Sequence, residues 1–359
     1  MAEITVIGAG LAGISSAIKL AKNGYKTTVY EQNKSIGLGG NNFQAVRNYD
    51  LPEDFLIYMQ NQGVNLTSFN PITKIIKYAP SGKNMVVQSE KNPLFYVFKR
   101  GSAPNSLDAQ LYKEALKLGV NFSFNQKKTL SSGDIVASGA IFRNIWGYGA
   151  VFEGVNIDSG TIHLFMDNNY APKGGYIYAI PFGSDRITIA ATTFDLNSPL
   201  PLLFEKFIKE NKIIADLIKS SIRRTYFSGY AYSNVPITAE IKGTKFVGSA
   251  AGFVEAARGF GVRYSIESGF LAADSIIENK SYDSLWKKSF EKELLNGLKR
   301  RLFFERLSNE DFEKMVQADK IKVSKYEKVP FALANLFKKI AFKKELSDWK
   351  NKFSIDKLF

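Results

Sequence analysis

The sequence contains no cysteine and a single histidine, His163, among its 359 residues. The absence of cysteine excludes disulfides, thiolate nucleophiles, zinc ribbons and iron–sulfur clusters. One histidine cannot build a histidine-rich metal site, and no partner residue can be named for it. We therefore expect His163 to be structural and no metal to be bound. If the protein is an enzyme, a bound organic cofactor is the expected source of its chemistry.

Long apolar stretches are also lacking. No run of about 18 apolar residues is present, so no segment is expected to span a membrane. A predicted strand follows Met1-Ala2-Glu3 at once, which leaves no room for a signal peptide, and we expect a cytoplasmic protein. Hydrophobic residues nevertheless make up 45% of the chain, which predicts a folded protein with a large core and more than one domain.

Positive charge is in excess, with a formal net charge of +14. Residues 281–359 hold 19 basic and 12 acidic residues, so about half of the excess lies there. A basic surface favours anionic partners such as lipid head groups, but it also serves simple solubility. We expect no nucleic-acid partner.

The C-terminal region has the spacing of an amphipathic helix. Apolar residues repeat on one helical face, namely Leu333, Leu336, Phe337 and Ile340. Basic and aromatic residues lie near them, namely Lys338, Lys339, Lys343, Lys344, Trp349 and Phe353. The pattern fits a helix lying peripherally on the cytoplasmic face of a membrane, and it also fits a helix packed on the protein's own core.

A glycine motif follows the first predicted strand, residues 4–7. Gly8-Ala9-Gly10-Leu11-Ala12-Gly13 leads from that strand into a predicted helix. Gly8 allows the tight turn, Gly10 lets the backbone approach a pyrophosphate, and Gly13 lets the helix pack closely on the strand. The spacing predicts a dinucleotide-binding βαβ unit.

Four neighbouring residues extend this predicted site. Leu11 and Ala12 lie in the first turn of the helix, where N–H groups and the helix dipole favour phosphate. Glu31 ends the second strand, where an acid can accept hydrogen bonds from a ribose, and Gln32 lies beside it. The following stretch, residues 34–49, is rich in Gly and Asn and predicts a loop, in which we expect Arg47 to be solvated.

A second glycine-rich segment, residues 248–269, reads Gly-Ser-Ala-Ala-Gly-Phe-Val-Glu-Ala-Ala-Arg-Gly-Phe-Gly-Val-Arg-Tyr-Ser-Ile-Glu-Ser-Gly. It resembles the ribityl- and flavin-binding segment of the para-hydroxybenzoate hydroxylase-like flavoproteins. Within that fold it is most similar to the geranylgeranyl reductase family. The positions that match the family's pattern in register are Gly248, Ala250, Ala251, Gly252, Phe253, Gly259, Gly261, Ile266, Ser268 and Gly269.

Two further segments share the resemblance, which covers roughly residues 1–280. Arg100, followed by Ser106-Leu107-Asp108, resembles that fold's arginine and helix start. Residues 176–181, Tyr-Ile-Tyr-Ala-Ile-Pro, resemble the reductases' substrate-side strand. The resemblance implies that substrate is lined by Tyr176, Tyr178 and Pro181. The two tyrosines would equally suit the core of a sheet.

The resemblance also implies the FAD contacts. Besides the N-terminal motif, these are Arg100, Gly248, Ser249, Gly259, Phe260 and Gly261. Arg100 would contact a phosphate of FAD, although it also suits an ordinary surface charge. This chain departs from the family pattern at Ser249, where the family has an aspartate for a ribityl hydroxyl, and at Tyr178, where the family has tryptophan.

We therefore expect a mixed α/β fold with a Rossmann-type FAD-binding domain, an inserted antiparallel-sheet substrate domain and a helical C-terminal region. The expected FAD-binding domain is discontinuous and comprises residues 1–50, 94–150 and 240–280. The expected substrate domain comprises residues 51–93 and 151–239, and the basic helical region comprises residues 281–359.

By the same resemblance, the function would be reduction of carbon–carbon double bonds in an isoprenoid of the geranylgeranyl type, an apolar or lipid substrate. No catalytic residue can be named. Because no second GxGxxG motif exists, the electron donor would be transiently bound NAD(P)H or a reduced electron-transfer protein. The alternatives are a flavin-dependent monooxygenase of the same fold and a non-catalytic flavoprotein that acts as a binding partner.

Overall fold

The computed structural model describes residues 3–38, 40–49, 51–130, 133–318, 343–353 and 355. The strands of this part are β1 (Ile4–Ile7), β2 (Thr27–Tyr30), β3 (Phe43–Arg47), β4 (Asn70–Ile72), β5 (Lys74–Tyr78), β6 (Asn84–Gln88), β7 (Phe95–Lys99), β8 (Asn121–Ser123), β9 (Ile135–Val136), β10 (Ile145–Glu153), β11 (Thr161–Phe165), β12 (Tyr176–Pro181), β13 (Arg186–Thr193), β14 (Arg223–Ala231), β15 (Glu240–Ile241) and β16 (Thr244–Phe246). The α-helices are α1 (Leu11–Lys22), α2 (Phe55–Asn61), α3 (Leu107–Lys117), α4 (Leu200–Glu210), α5 (Lys212–Ile218), α6 (Val262–Ile277), α7 (Tyr282–Trp286), α8 (Lys292–Phe304), α9 (Asn309–Ala318) and α10 (Lys343–Lys352).

The glycine motif lies at the centre of a six-stranded sheet with the order β15-β16-β9-β1-β2-β8. The strands from β16 to β8 run parallel, and β15 joins antiparallel at one edge. Helices α1 and α6 pack against each other very closely. A Cβ added at Gly269 would lie 2.2 Å from the Ala12 carbonyl oxygen, so only glycine allows this approach. The predicted Rossmann-type arrangement is thus present.

A seven-stranded sheet follows the order β14-β10-β13-β12-β11-β5-β6. Neighbouring strands are antiparallel except for the β11–β5 pair. One face of the sheet packs on α4 and α5 and buries an apolar cluster that includes Phe165, Ile177, Ile189, Phe204 and Phe207. Because side chains alternate along a strand, the intervening residues face the opposite side.

A three-stranded antiparallel sheet has the order β3-β7-β4, and its strand β3 contacts α6 and β12. Its presence corrects two expectations. Part of the predicted loop at 34–49 is strand β3, because Phe43 to Arg47 pair along the whole of β7. Arg47 is buried and not solvated, since its guanidinium forms an ion pair with Glu293 of α8 at 3.2 Å. The half-buried Glu293 carboxylate compensates the arginine's charge in place of water.

The C-terminal helices pack on both sheet regions, and a π-helical turn, Lys287–Glu291, joins α7 to α8. In α10 and after it, the predicted aromatic pair contacts the core. The Trp349 indole donates to the Ser233 carbonyl oxygen at 3.3 Å, and the Phe353 ring lies edge-on to Phe142. The predicted apolar face, Leu333, Leu336, Phe337 and Ile340, lies outside the described residues, as do Lys338 and Lys339. Across the described ranges, every helix is too short or too polar to cross a bilayer.

Candidate functional site

A cavity of about 770 Å³ extends from the first turn of α1, across one face of the seven-stranded sheet, to α9. Its size falls in the range of small-molecule and cofactor sites. At one end it is lined by loops that follow β1, β16 and β3. At the other end its walls are mostly apolar, and include Ile75, Met85, Leu164, Phe312 and Val316.

The structure brings most of the predicted site residues together in this cavity. Those that line it are Gly10, Leu11, Ala12, Arg100, Ser249, Gly259, Phe260, Gly261, Tyr176 and Tyr178. They come from segments up to about 250 residues apart in sequence, and they meet because β1, β9 and β16 end at the same edge of a parallel sheet. The last turn before α6 places Gly261 at that helix's N-terminus.

Three predicted glycines serve packing and do not line the cavity. Gly8 has a φ of 102°, and a Cβ there would lie 2.3 Å from the Ala137 carbonyl oxygen. A Cβ at Gly13 would lie 2.0 Å from the Gly8 carbonyl oxygen, and one at Gly248 would lie 3.0 Å from the Ala12 Cβ. Gly8 and Gly13 shape the turn after β1, and Gly248 shapes the turn after β16; cavity-lining residues lie in both turns.

Glu31 and Gln32 lie at the end of β2, beside the glycine motif and outside the cavity lining. One carboxylate oxygen of Glu31 accepts from the Ala9 N–H at 2.9 Å. The other accepts from the backbone and side-chain N–H groups of Asn33 at 2.9 and 2.7 Å. Glu31 therefore fixes the turn between β1 and α1, and its contact with a ribose stays a prediction.

Pro181, expected to line substrate, does not line the cavity. Along β12, Tyr176, Tyr178 and Ile180 face the cavity, whereas Ile177 belongs to the opposite apolar cluster. Strand alternation places Pro181 on the same side as Ile177. Pro181 is therefore not among the residues that the structure brings together at the cavity, and its contact with substrate stays a prediction.

The cavity fits a dinucleotide at the α1 end. A Cβ added at Gly10 would meet nothing within 4 Å, so open space lies in front of the helix. The first N–H groups of a helix have no partner within the helix and point into such a space. The buried Asn42 Oδ1, also at the lining, has no hydrogen-bond donor within the described ranges. A bound dinucleotide would provide phosphate oxygens that accept from the N–H groups of α1, and donor groups for the Asn42 Oδ1.

Arg100 lines the cavity, but its guanidinium is largely occupied. Its Nε and Nη2 donate to the Asp108 carboxylate at 2.8 and 2.9 Å, and its Nη1 donates to Gln44 at 2.6 Å. Burial would raise the pKa of Asp108, yet Arg100 and the Gly101 N–H hold it below its usual value. The ion pair anchors the start of α3, and a phosphate contact from Arg100 stays a prediction.

Several lining residues were missed from the sequence. Asn41, Asn42, Phe43 and Gln44 line the cavity near Arg100. Their Gly- and Asn-rich neighbourhood indicated a close approach of the backbone, which was the only available signal. Residues of α9 were missed because nothing in the sequence relates residues 309–318 to the sheet.

Two tyrosines form the wall beside the flavin-type segment. The Tyr176 hydroxyl donates to the Arg258 carbonyl oxygen, which ties β12 to the 255–261 loop. Burial raises the pKa of Tyr178 to about 12 and also raises that of Tyr176. Both phenols therefore keep their protons at neutral pH.

His163 lies on the sheet face away from the cavity. Its Nδ1 is 3.0 Å from the Tyr78 hydroxyl, and the two rings stack. Burial lowers the pKa of His163, so the imidazole is neutral at pH 7. This position agrees with a structural role and leaves His163 out of reach of a ligand in the cavity.

Comparison with known proteins supports this interpretation. Residues 6–56 match the model of an NAD(P)-binding Rossmann-like domain. A digeranylgeranylglycerophospholipid reductase from Methanocaldococcus jannaschii is 24% identical over 362 residues, which cover 88% of this chain and 90% of that protein. The match extends well beyond the nucleotide-binding segment.

Solved structures share the fold. A geranylgeranyl bacteriochlorophyll reductase-like protein from Thermoplasma acidophilum superposes with a TM-score of 0.71 at 20% identity, covering 93% of this chain and 98% of that one. A flavin-dependent brominase superposes with a TM-score of 0.62 at 12% identity, covering 94% and 98%. The comparisons confirm the predicted fold class, the resemblance to geranylgeranyl reductase flavoproteins, and an FAD-dependent oxidoreductase as the class of enzyme.

Proposed function

We propose that this protein uses FAD to reduce carbon–carbon double bonds of an isoprenoid lipid of the geranylgeranyl type. The cavity is the observation that carries the proposal. Its walls join the predicted FAD contacts to an apolar sheet face, so an extended apolar chain lying along that face would end beside the cofactor. The relative named digeranylgeranylglycerophospholipid reductase supports the same class of substrate.

We assign the cofactor contacts by position. The first turn of α1, Gly10 to Ala12, would hold the pyrophosphate, and Glu31 and Gln32 would lie on the adenosine side. Ser249 would bond a ribityl hydroxyl, and Arg100 would add positive charge near a phosphate. The backbone from Gly259 to Gly261 would lie along the flavin ring, where the N-terminus of α6 favours negative charge.

When bound, FAD would supply hydride to a double bond of the substrate. The apolar walls would exclude water and align the chain, which this chemistry requires because isolated alkenes are poor hydride acceptors. The Tyr178 hydroxyl has no hydrogen-bond partner within the described part of the chain and lines the cavity. It would hold a proton at Oη beside the substrate. The electron donor, either NAD(P)H or a reduced electron-transfer protein, stays a prediction, as do the domain division and membrane contact.

The proposal is tested with purified protein. We expect flavin absorbance, and heat should release FAD and not FMN. After chemical reduction without oxygen, the flavin should be reoxidised by a lipid bearing geranylgeranyl groups, and mass spectrometry should find the saturated product. The fully saturated lipid is the matched control and should leave the flavin reduced.

Two other outcomes would overturn the proposal. A hydroxylated product that forms only with O₂ would establish a monooxygenase of the same fold. If neither lipid nor O₂ reoxidised the flavin in a productive reaction, the protein would be better described as a non-catalytic flavoprotein.

A further inference from the structure

The charge of the cavity lining is one-sided. Among the described residues, the lining includes three basic side chains, Lys77, Arg100 and Arg258, and neither Asp nor Glu. Arg100 is compensated by Asp108 at 2.8 Å, and Lys77 has interactions of its own. Of the three, Arg258 is therefore the cation whose interactions bear most on which ligands the cavity binds.

Arg258 lies in the loop before α6, directly before Gly259. Its Nη1 donates to the Tyr49 hydroxyl at 3.2 Å. Within the described part of the chain, the Arg258 guanidinium makes this one hydrogen bond. The nearby Glu255 carboxylate is directed to the backbone, where it accepts from the N–H groups of Ala257 and Arg258 at 3.2 and 3.0 Å. Most of the guanidinium's donors thus remain for a ligand.

We propose that Arg258 and Tyr49 form an anion subsite that holds an oxyanion of the substrate, either a phosphate or a carboxylate. A guanidinium presents a planar fork of donors that matches such groups. Because the Tyr49 oxygen accepts from Arg258, its own O–H can donate to the same anion. The inference rests on the proposed function, since the anion would be the polar end of the isoprenoid substrate.

Apolar walls make this subsite selective. Tyr49 packs edge-on against Phe95, and the Phe260 ring, from the same loop as Arg258, also packs against Phe95. An anion in such surroundings loses water and needs these donors, whereas an uncharged head group would gain little from them. The subsite should therefore separate charged from neutral ligands that carry the same chain.

The test titrates the flavin-loaded protein with geranylgeranyl phosphate, geranylgeranic acid and geranylgeraniol, followed by the flavin absorbance. Wild type should bind the two anions about tenfold to a hundredfold more tightly than the alcohol. Arg258→Gln should abolish this preference and leave the alcohol's Kd within about twofold. Arg258→Lys should keep part of the preference, and Tyr49→Phe should weaken both anions several-fold.

Arg223→Gln is the matched control, because it removes the same charge from a side chain that is 70% exposed and outside the lining. It should keep the full preference. Equal affinity of wild type for all three ligands would overturn the inference. So would an equal weakening of all three by Arg258→Gln, or loss of the preference in Arg223→Gln. If Arg258→Gln failed to fold, Arg258→Lys and Tyr49→Phe would test the inference instead, and an unchanged preference for the anions in both variants would overturn it.

Dodecyl phosphate and dodecanol separate this inference from the proposed function. If the phosphate is preferred in an Arg258-dependent way while no geranylgeranyl compound binds, the subsite stands and the isoprenoid substrate is wrong. If geranylgeraniol binds as well as its phosphate, the isoprenoid substrate stands and the anion subsite is wrong.

Discussion

Gly10 and Gly13 belong to one motif, but the structure gives them different tasks, and the same substitution should separate these tasks. At Gly13 an added Cβ would lie 2.0 Å from the Gly8 carbonyl oxygen and 3.1 Å from the Ala137 Cβ. The first of these neighbours is backbone and cannot turn away. We expect Gly13→Ala to destabilise the apoprotein by about 3 kcal/mol, the upper end of typical overpacking costs.

Gly10→Ala should leave the apoprotein's stability nearly unchanged. Gly10 has φ −79° and ψ 177°, which alanine adopts without strain, and its Cβ would meet nothing within 4 Å. The loss of freedom in the unfolded chain is worth about 0.4–1 kcal/mol and roughly offsets alanine's poorer capping of a helix. The new methyl group would instead occupy the space in which the pyrophosphate lies. FAD affinity should fall about tenfold to a hundredfold.

Two measurements on each variant distinguish a packing role from a role in FAD binding. Urea unfolding of the apoprotein reports stability, and titration with FAD, followed by its fluorescence, reports affinity. FAD at about 100 times the wild-type Kd should add about 2.7 kcal/mol to the stability of wild type. At the same FAD concentration Gly10→Ala should gain only about 1.4 kcal/mol if its affinity falls tenfold, and about 0.4 kcal/mol if it falls a hundredfold. Wild-type FAD affinity in Gly10→Ala would refute the placement of the pyrophosphate, and a fully stable Gly13→Ala apoprotein would refute the packing role.

The remaining predictions concern a single charge each. Ser249→Asp should tighten FAD binding by about 1 kcal/mol in the same titration, because a carboxylate bonds a hydroxyl more strongly than serine does; weaker binding would mean that Ser249 does not face the ribityl chain. Arg100→Gln should cost about 3 kcal/mol at pH 7, because it leaves the Asp108 carboxylate buried without its partner. The folded-state pKa of Asp108 is below its ordinary value of 3.8. The ion pair therefore stabilises the folded protein fully above about pH 3.8, and this stabilisation is lost as the pH falls through the lowered pKa. Acid titration of stability should therefore be shallower in Arg100→Gln than in wild type below about pH 4.

Local patterns predicted the nucleotide-binding half of the site well. Glycines that must pack tightly, such as Gly8 and Gly13, leave a sequence motif because any side chain there would clash. Residues 261–277 were predicted as a helix, and α6 covers Val262–Ile277. These features are determined by residues close in sequence.

Features that depend on distant partners were not predictable. Arg47 becomes buried because α8 brings Glu293 to it. The strand β14, Arg223–Ala231, was not predicted, since its arginines, serine and glycine lack an apolar alternation and it is held by pairing with β10. The role of α9 in closing the cavity likewise depends on tertiary packing alone.

The two faces of the seven-stranded sheet have different consequences for divergence among related proteins. Ile162 and Leu164 face the cavity, while the intervening His163 and the following Phe165 belong to the packed side under α4 and α5. A substitution at an even-numbered position of β11 thus changes the shape offered to a substrate, and one at an odd-numbered position changes the core. Selection for a new substrate can therefore change the cavity-facing residues of this strand and leave unchanged the residues that keep the sheet folded, as long as the register of β11 is kept.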